Sequence, residues 1–314
     1  MTNKSRIMRD IVDNVEKVLV GKREAIELVV IGLMCSGHIL IEDVPGVGKT
    51  SLASALSRSI NASFRRIQFT PDIMPSDITG FSMYNPKTNE FEFQRGSVFS
   101  NFVLADEINR TPPKTQASLL EVMEERQVSI DGVTYPLPRL FMVLATQNPI
   151  EYIGTYPLPE AQLDRFIMRI SIGYPDNNSE QDMISRFEMH NPLASLQPVS
   201  TIDDILEVQD EIKKVHVDSS IKKYVVDLAG STRNNNNILL GASPRASLNL
   251  ITASKAHAYY LDRSFVTPDD VQRMLPYVWS HRMILTQDSK MKGNKAESVL
   301  GTIIRLTRAP VIEK

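Results

Sequence analysis

The sequence predicts an α/β protein in which a parallel five-stranded sheet is followed by a smaller all-helical domain. Short apolar runs alternate with helical patterns up to about residue 176. Only helical periodicity follows, as in the spacing of Ile221, Val225 and Leu228. Strands that alternate with helices pair in parallel and are covered on both faces. We therefore expect an α/β core over residues 1–176 and a second, all-helical domain over residues 177–314.

Each predicted element has its own pattern. The expected strands are five apolar runs, at residues 38–42, 64–70, 101–107, 140–147 and 165–172. Apolar residues at helical spacing predict helices at residues 7–19, 23–35 and 112–125, and one that begins at residue 49. Ser243-Pro244 and Thr267-Pro268 are typical helix starts, because Ser and Thr cap the first N–H groups and proline fits the first turn.

Two segments interrupt the alternation and are predicted to be hairpins. Residues 127–137 alternate apolar and polar side chains around Asp131-Gly132, a pair typical of a tight type I′ turn. Residues 81–94 form a looser hairpin with its turn near Asn85. Such hairpins are decorations, moving parts or contact surfaces, and the sequence leaves these roles open.

Composition excludes several classes of protein. The 314 residues carry a formal net charge of -2, so no overall field favours nucleic acid as a partner. Cys35 is the only cysteine, which excludes a disulfide within the chain and a cysteine-based zinc site. The five histidines show no ligand spacing. No secretory pattern and no apolar run long enough for a bilayer is visible, so we expect a cytoplasmic protein without a transmembrane segment.

The segment HILIEDVPGVGKTSLASAL, residues 38–56, has the order of a phosphate-binding loop between a strand and a helix. The strict pattern G-x-x-x-x-G-K-[ST] fails only where aspartate replaces the first glycine. That glycine mainly allows a bend, and aspartate tolerates unusual backbone angles, so the loss is mild. The candidate nucleotide-binding residues are Asp43, Val44, Pro45, Gly46, Val47, Gly48, Lys49, Thr50 and Ser51.

Polar residues end two further predicted strands. Asp106 and Glu107 close the run FVLADE, and Asn148 closes VLATQN. Ligands bind at the carboxyl edge of parallel strands, so these side chains are expected beside the phosphate loop. We expect Thr50 and Asp106 to hold Mg²⁺, Glu107 to orient the attacking water, and Asn148 to help position that water. An Asp-Glu pair alone commonly ends a strand in solvent, whereas the loop upstream of this pair favours a site.

Two arginines are candidates for stabilising charge on a transferring phosphoryl group. Arg165 lies in LPEAQLDRF, just before the fifth predicted strand, and Arg245 lies in the first turn of the SPRASLNL helix. Guanidinium groups serve this purpose in many phosphoryl-transfer sites, often from a neighbouring subunit. An arginine at a helix N-terminus gains nothing from the helix dipole, so Arg245 needs another partner. Surface salt bridges are the alternative explanation for both residues.

Together these segments resemble the AAA+ ATPases of the MoxR family. The matching strings are LIEDVPGVGKT, TPDIMPSDITG, VLADEINRTPPKTQASLLEVMEE, VLATQNP, LPEAQLDRF and SPRA, and they cover nearly the whole chain. The resemblance implies a core and a helical lid with ATP or ADP and Mg²⁺ between them. It also implies a homo-oligomeric ring, typically hexameric, that acts like a chaperone on client proteins. A partner with a von Willebrand factor A domain is implied too, whereas the client and the ATP dependence of the ring stay open.

The resemblance also implies a role for each candidate residue. By position, Lys49 and Thr50 correspond to Walker A, Asp106 and Glu107 to Walker B, Asn148 to sensor 1, Arg165 to the arginine finger that acts in trans, and Arg245 to sensor 2. The two hairpins correspond to the helix-2 insert and the pre-sensor-1 hairpin.

Two positions remain undecided by the resemblance. Arg110 follows the Walker B segment directly and is a second candidate for contact across a subunit interface. At Arg95-Gly96-Ser97 the family more often has prolines around the glycine, so the shape of the insert's base is not predicted.

Four other functions compete with an ATP-driven remodelling ring. A nucleotide-dependent binding switch that barely hydrolyses would not need a base such as Glu107. A motor subunit of a larger complex, similar to the magnesium-chelatase motor, stays open, whereas a DNA-acting protein is disfavoured because no basic run is present. A small-molecule kinase would need an acceptor pocket within the α/β unit, yet this sequence continues into a separate helical domain.

Overall fold

The computed structural model describes residues 4–149, 154–189 and 191–310. Its strands are β1 (His38–Glu42), β2 (Phe64–Gln68), β3 (Gly80–Asn85), β4 (Glu90–Arg95), β5 (Phe102–Asp106), β6 (Gln127–Ile130), β7 (Val133–Pro136), β8 (Met142–Gln147), β9 (Phe166–Ile170), β10 (Ile238–Leu240) and β11 (Ile284–Leu285). The main sheet has the order β2-β5-β8-β1-β9, and all its pairs are parallel. The predicted parallel five-stranded sheet is therefore confirmed.

The helices cover both faces of the sheet and form most of the C-terminal half. They are α1 (Ser5–Glu16), α2 (Arg23–Met34), α3 (Lys49–Ser59), α4 (Pro75–Thr79), α5 (Pro113–Glu125), α6 (Glu160–Leu163), α7 (Asn177–Met189), α8 (Pro192–Ser195), α9 (Ile202–Lys213), α10 (Ser219–Arg233), α11 (Pro244–Tyr260), α12 (Pro268–Trp279), α13 (Gln287–Met291) and α14 (Ala296–Leu306). Short 3₁₀ turns lie at Ile108–Arg110 and Ser280–Arg282.

Two hydrophobic clusters form, one on each side of the sheet. Alternate residues of β1 face opposite sides, so Ile39 and Ile41 join one cluster while Leu40 joins the other. The first cluster continues into the C-terminal helices, where Leu250 and Leu275 are fully buried. The core of the sheet and the core of the lid are therefore packed together without a break.

Both predicted hairpins are present. In the β6–β7 turn, Asp131 has φ 51° and Gly132 has φ 80°, the two positive values that a type I′ turn requires. The β3–β4 hairpin ends at a close backbone crossing. A Cβ on Gly96 would lie 2.2 Å from the carbonyl oxygen of Ile78, so only glycine fits there. The rings of Phe93 and Tyr135 stack with centroids 4.1 Å apart, which joins the two hairpins.

The C-terminal half departs from a purely helical pattern at β10 and β11. β10 and β11 pair as a short antiparallel ribbon. Runs of three and two residues are too short to show the alternation that identifies a strand in a sequence. The predicted helix starts are confirmed, since Ser243 Oγ accepts from the Ala246 N–H over 3.1 Å. Among the described residues, no helix is both long enough and apolar enough to cross a membrane.

Candidate nucleotide site

The candidate site lies at the carboxyl edge of three adjacent strands. β8 lies between β5 and β1 in the sheet. Glu42, the last residue of β1, is level with Gln147 of β8, and Asp106 ends the neighbouring β5. The phosphate loop that follows Glu42, the carboxylate of Asp106 and the buried Asn148 therefore lie along one edge.

The loop before α3 has the backbone of a phosphate cradle. Gly46 and Gly48 have φ values of 86° and 90°, the left-handed region that glycine adopts without strain. α3 begins at Lys49, so its first N–H groups have no partner within the helix and point out of its positive end. No heavy atom lies within 4 Å of a Cβ built on Gly46, which leaves open space beside the loop. This geometry suits an anion such as a phosphate group.

Lys49 is buried at the base of this loop. Its Nζ donates to the carbonyl oxygen of Asp43 over 2.8 Å. Burial lowers the pKa of the Lys49 amine, while the negative charges of Asp106, Asp43 and Glu107 act in the opposite direction. The amine therefore lies among carboxylates at the site, where it can move from the Asp43 carbonyl to a phosphate oxygen.

Asp43 anchors the loop to the segment that follows β9. Its Oδ2 accepts from the N–H groups of Ile172 and Gly173 over 2.7 and 2.6 Å, and from the Ser171 hydroxyl over 2.9 Å. Burial raises the pKa of this carboxyl, but the hydrogen bond from Gly173 and its neighbours outweigh burial and leave the pKa below its usual value. The backbone of Asp43 does not have a positive φ. The sequence argument from unusual backbone angles was therefore wrong, and the side chain explains the aspartate.

Asp106 is held by two side chains that the sequence analysis did not single out. The Thr146 hydroxyl donates to Oδ1 over 2.7 Å, and Arg66 donates to Oδ2 from Nη2 over 2.6 Å and from Nε over 3.2 Å. Arg66 also donates to Gln68 over 2.7 Å. The carboxylate is thus fixed in orientation and neutralised by a guanidinium.

Glu107 has a strained backbone and a restrained side chain. Its φ of 58° and ψ of 50° are left-handed, which is uncommon outside glycine. Its N–H donates to the Thr146 hydroxyl over 2.8 Å. Its Oε2 accepts from Gln68 and from Arg110, each over 2.9 Å. In this chain Arg110 therefore contacts the glutamate of its own subunit.

These residues fit a nucleotide with a magnesium ion. Mg²⁺ binds through one or two protein oxygens, waters and substrate phosphates rather than in an all-protein cage. The described residues contain no group of three or more His, Cys, Asp or Glu that could hold a metal by themselves. Thr50 is exposed at the start of α3, and Asp106 lies at the same edge of the sheet. A hydroxyl and a carboxylate are the hard oxygen ligands that Mg²⁺ takes.

Comparisons with known proteins agree with this geometry. A family model described as "ATPase family associated with various cellular activities (AAA)" matches residues 38–168, and one described as "AAA lid domain" matches residues 230–303. The protein Chaperone MoxR1 of Mycobacterium tuberculosis is 41% identical, over 95% of this chain and 81% of its own length. The chain belongs to the MoxR family of AAA+ ATPases. The family that the sequence resembled, and the ATPase activity expected of it, are therefore confirmed.

Two further relatives extend the match over almost the whole chain. The MoxR-family chain is 49% identical to the protein YeaC of Bacillus subtilis, over 96% of this chain and 94% of that protein. It is also similar to a crystal structure from Cytophaga hutchinsonii that is described as an ATPase. The TM-score is 0.91 and the identity 41%, over 98% of this chain and 96% of the other.

The two candidate arginines of this MoxR-family ATPase lie together at the amino edge of the sheet, opposite the phosphate loop. Arg165 precedes Phe166, which is level with His38 at the start of β1. Arg165 and Arg245 line a cavity of about 210 Å³ together with Arg126 and His38. The structure does not bring either arginine to the phosphate loop of its own chain, since five residues of strand span about 13 Å.

In the cavity lined by Arg165 and Arg245, which we call the second cleft, Arg245 forms two ion pairs. Arg245 donates from Nη2 to Glu124 over 2.8 Å, and its Nε lies 3.8 Å from Asp164 Oδ2. The hydrogen bond from Arg245 lowers the pKa of Glu124, and the charge of Arg165 adds to this effect. The second cleft is therefore lined by Arg126, Arg165 and Arg245, together with the carboxylate of Glu124.

Sequence reasoning missed Arg66, Gln68 and Thr146 because their roles depend on strand order. Arg66 and Gln68 lie on β2, which is next to β5, and Thr146 lies on β8, on the other side of β5. The only local signal was polar residues at alternate positions of FRRIQFT, which places Arg66 and Gln68 on one face of the strand.

Proposed function

We propose that this MoxR-family ATPase hydrolyses ATP with Mg²⁺ in a ring of identical subunits, and uses the energy to remodel or activate partner proteins. Residues 1–176 would act as the core and residues 177–314 as the lid. The observation that carries the ring is the separation of the two candidate arginines from the phosphate loop of their own chain. Arg165 and Arg245 lie at the amino edge of the sheet, and Lys49 at the carboxyl edge.

The residues of one chain would perform most of the chemistry. Backbone N–H groups of residues 46–50 and the Lys49 amine would bind the β- and γ-phosphates. Thr50 and Asp106 would hold Mg²⁺, which supplies charge neutralisation between the phosphates when bound. Glu107 would orient and polarise the water that attacks the γ-phosphate, with Asn148 beside it.

The missing positive charge would come from the next subunit. A head-to-tail ring places the amino edge of one sheet against the carboxyl edge of the next subunit's sheet. In that arrangement Arg165 reaches the γ-phosphate of the neighbour's ATP, and Arg245 can join it because both line one cleft. Arg110 has a local role instead, because it contacts Glu107 of its own chain.

The two hairpins are the surfaces on which we expect client contact. Phe91 at the end of the β3–β4 hairpin is 74% exposed, and Met83 on the neighbouring strand is 50% exposed. Apolar side chains exposed at a hairpin tip suit transient binding of unfolded or flexible segments. The family resemblance further supports a partner with a von Willebrand factor A domain, and a cytoplasmic location where ATP is available.

The experiment that tests this proposal is a trap for the client. Glu107→Gln should bind Mg·ATP but fail to hydrolyse it, which would hold the ring in its ATP-bound state. We would recover this variant from its native cells with ATP or with ADP, and compare the proteins that accompany it. A partner enriched with ATP alone supports remodelling and identifies the client.

The result that would contradict the proposal is equally definite. If Glu107→Gln bound Mg·ATP, stayed monomeric and enriched no protein, the ring would be wrong. A slow nucleotide-dependent switch, or a motor subunit that needs a different partner chain, would then describe the protein better.

A further inference from the structure

Arg282 fixes the turn that carries Arg165. It lies in the 3₁₀ turn Ser280–Arg282 after α12, and its side chain is only 3% exposed. Its Nε donates to Asp164 Oδ1 over 2.6 Å, and its Nη2 donates to the carbonyl oxygens of Asp164 and Phe166 over 3.1 and 2.6 Å. Its Nη1 donates to the carbonyl oxygen of Ile167 over 3.2 Å. One guanidinium therefore binds the backbone on both sides of Arg165.

The carboxylate of Asp164 connects Arg282 to Arg245. Oδ1 accepts from Arg282, while Oδ2 faces the Nε of Arg245 at 3.8 Å. Asp164 is also the residue immediately before Arg165. The Asp164 carboxylate thus lies between the buried Arg282 on one side and Arg245 on the other, and Asp164 is next to Arg165 in the chain.

Stability alone does not explain why the guanidinium of Arg282 is buried. Burial of the Arg282 side chain lowers its pKa, while the hydrogen bond to Asp164 and the negative charge of that residue act in the opposite direction. Buried ion pairs usually stabilise a fold no more than apolar residues of the same size do. A planar guanidinium with five N–H donors instead fixes geometry, because it binds several acceptors at once.

Arg169 of β9 links the same turn to β1, the strand that leads into the phosphate loop. Ser280 Oγ accepts from Arg169 Nη2 over 3.3 Å, and Arg169 Nη1 donates to Glu42 over 2.9 Å. Glu42 is the residue before Asp43, the anchor of the phosphate loop. The Ser280–Arg282 turn therefore lies between the nucleotide loop of its own chain and the arginines at the other edge of the sheet.

We propose that Arg282 is a positioning residue that holds Arg165 and Arg245 in the geometry needed by the neighbouring subunit's nucleotide. The inference rests on the proposed function, because it requires that these arginines act in trans. It adds a residue of the lid that touches no nucleotide and still sets the turnover of the next subunit.

The first test separates binding from turnover. Arg282→Lys keeps the charge but replaces the fork by a single donor group. We expect turnover to fall about tenfold to a hundredfold, since small misplacements of a catalytic group have effects of this size. The KM for ATP should change less than about twofold. The melting temperature should fall, because lysine cannot donate to all the buried acceptors of Arg282, so turnover is measured well below it. A rise in KM with unchanged kcat would overturn the inference.

The second test asks which subunit Arg282 serves. We would mix Arg282→Lys with Glu107→Gln, which cannot hydrolyse ATP but has intact arginines. Turnover should rise on mixing, because Arg282→Lys sites receive good arginines from Glu107→Gln neighbours. Mixing Arg282→Lys with Arg165→Ala should give no rise, because both fail to supply a positioned arginine. The opposite pattern would place the effect of Arg282 in its own nucleotide site and overturn the inference.

A second mixture of variants distinguishes failure of the Arg282 inference from failure of the proposed function. Arg165→Ala mixed with Glu107→Gln should recover turnover if any arginine acts in trans. If that pair stays inactive, the trans arrangement is wrong and the role of Arg282 falls with it. If that pair recovers and the Arg282→Lys pair does not, only the role of Arg282 is wrong. Asp164→Asn should repeat the Arg282→Lys pattern, which covers the case in which Arg282→Lys folds poorly.

Discussion

The hydroxyl of Thr146 donates a hydrogen bond to the carboxylate of Asp106 over 2.7 Å and accepts one from the N–H of Glu107 over 2.8 Å. Thr146 is fully buried on β8, the strand beside β5. One hydroxyl therefore sets the orientation of one carboxylate and supports the left-handed backbone of the other. The geometry of both acids depends on a neighbouring strand.

Thr146→Val should disturb both acids while keeping the shape of the side chain. It leaves a buried carboxylate oxygen and a buried N–H without their partner, at about 1–3 kcal/mol for each group. We expect a loss of folding stability in urea unfolding and at least a tenfold (~1.4 kcal/mol) loss of turnover. Thr146→Ser keeps the hydroxyl and is the control. Equal stability and full activity of the two variants would show that this hydroxyl has no such role.

Asp43→Gly should destabilise the protein although it completes the strict phosphate-loop pattern. The glycine cannot accept from Ser171, Ile172 and Gly173, and it adds conformational freedom to the unfolded chain. We expect a loss of roughly 3 kcal/mol or more in unfolding without nucleotide, since each unmet buried donor costs about 1–3 kcal/mol. Asp43→Asn, which keeps an acceptor oxygen, should lose less. A glycine variant as stable as the parent would refute the anchoring role.

Arg66→Met should increase the affinity of the site for Mg²⁺. Arg66 neutralises the Asp106 carboxylate, so a magnesium ion has to compete with a guanidinium for it. Because the Arg66 side chain is about half-exposed, we expect the pair to contribute about 1 kcal/mol, which corresponds to roughly a fivefold change. The measurement is ADP binding titrated with Mg²⁺. Arg65→Met is the matched control, because Arg65 is exposed and lies on the opposite face of β2. Weaker Mg²⁺ binding in Arg66→Met would mean that Arg66 assists the cation instead.

His38 should make the stability of the fold depend on pH. Burial, with a smaller effect from the charge of Arg126, lowers its pKa to about 4. In the unfolded chain the pKa is about 6.5, so the unfolded state binds the proton first as the pH falls. The stability due to neutral His38 is therefore complete above pH 6.5 and is lost as the pH falls toward 4.

The expected difference can be measured against His38→Gln. Between pH 6.5 and pH 5 the native protein should lose about 2 kcal/mol more unfolding free energy than this variant, which has no titrating group at the site. His281 is also buried and has a lowered pKa. Its effect on the unfolding free energy is the same in both proteins and cancels from the difference between them. Parallel curves of unfolding free energy against pH for the two proteins would contradict this assignment.

The sequence predicted the sheet and the edge at which the candidate site lies, because both depend on local patterns. Most strands of the main sheet are apolar runs, Asp106 ends β5, and Lys49 follows β1 after the phosphate loop. That these residues bind nucleotide and metal stays a prediction. Arg66 and Thr146 could not be found, since their contacts with Asp106 depend on which strands are neighbours. Strand order is set by packing of the whole sheet rather than by any one segment.

The arginines likewise show that contacts between distant segments cannot be predicted from the sequence alone. The resemblance names Arg165 and Arg245 separately, but their common cleft arises because the first turn of α11 packs beside the end of α5. Arg282, more than a hundred residues after Arg165, gave no local signal at all. Its contacts become visible only when the lid is folded against β9.

The central claim is that each subunit completes its neighbour's site, and one measurement tests it most directly. ATP turnover per chain would be followed against protein concentration, with sedimentation of the same samples, for the unmodified protein, Arg165→Ala and the exposed control Arg6→Ala. The account predicts that turnover per chain rises as chains assemble. It also predicts that Arg165→Ala binds ATP normally but turns over at least a hundredfold more slowly, while Arg6→Ala behaves like the parent. Full turnover by monomers, or by Arg165→Ala, would contradict it.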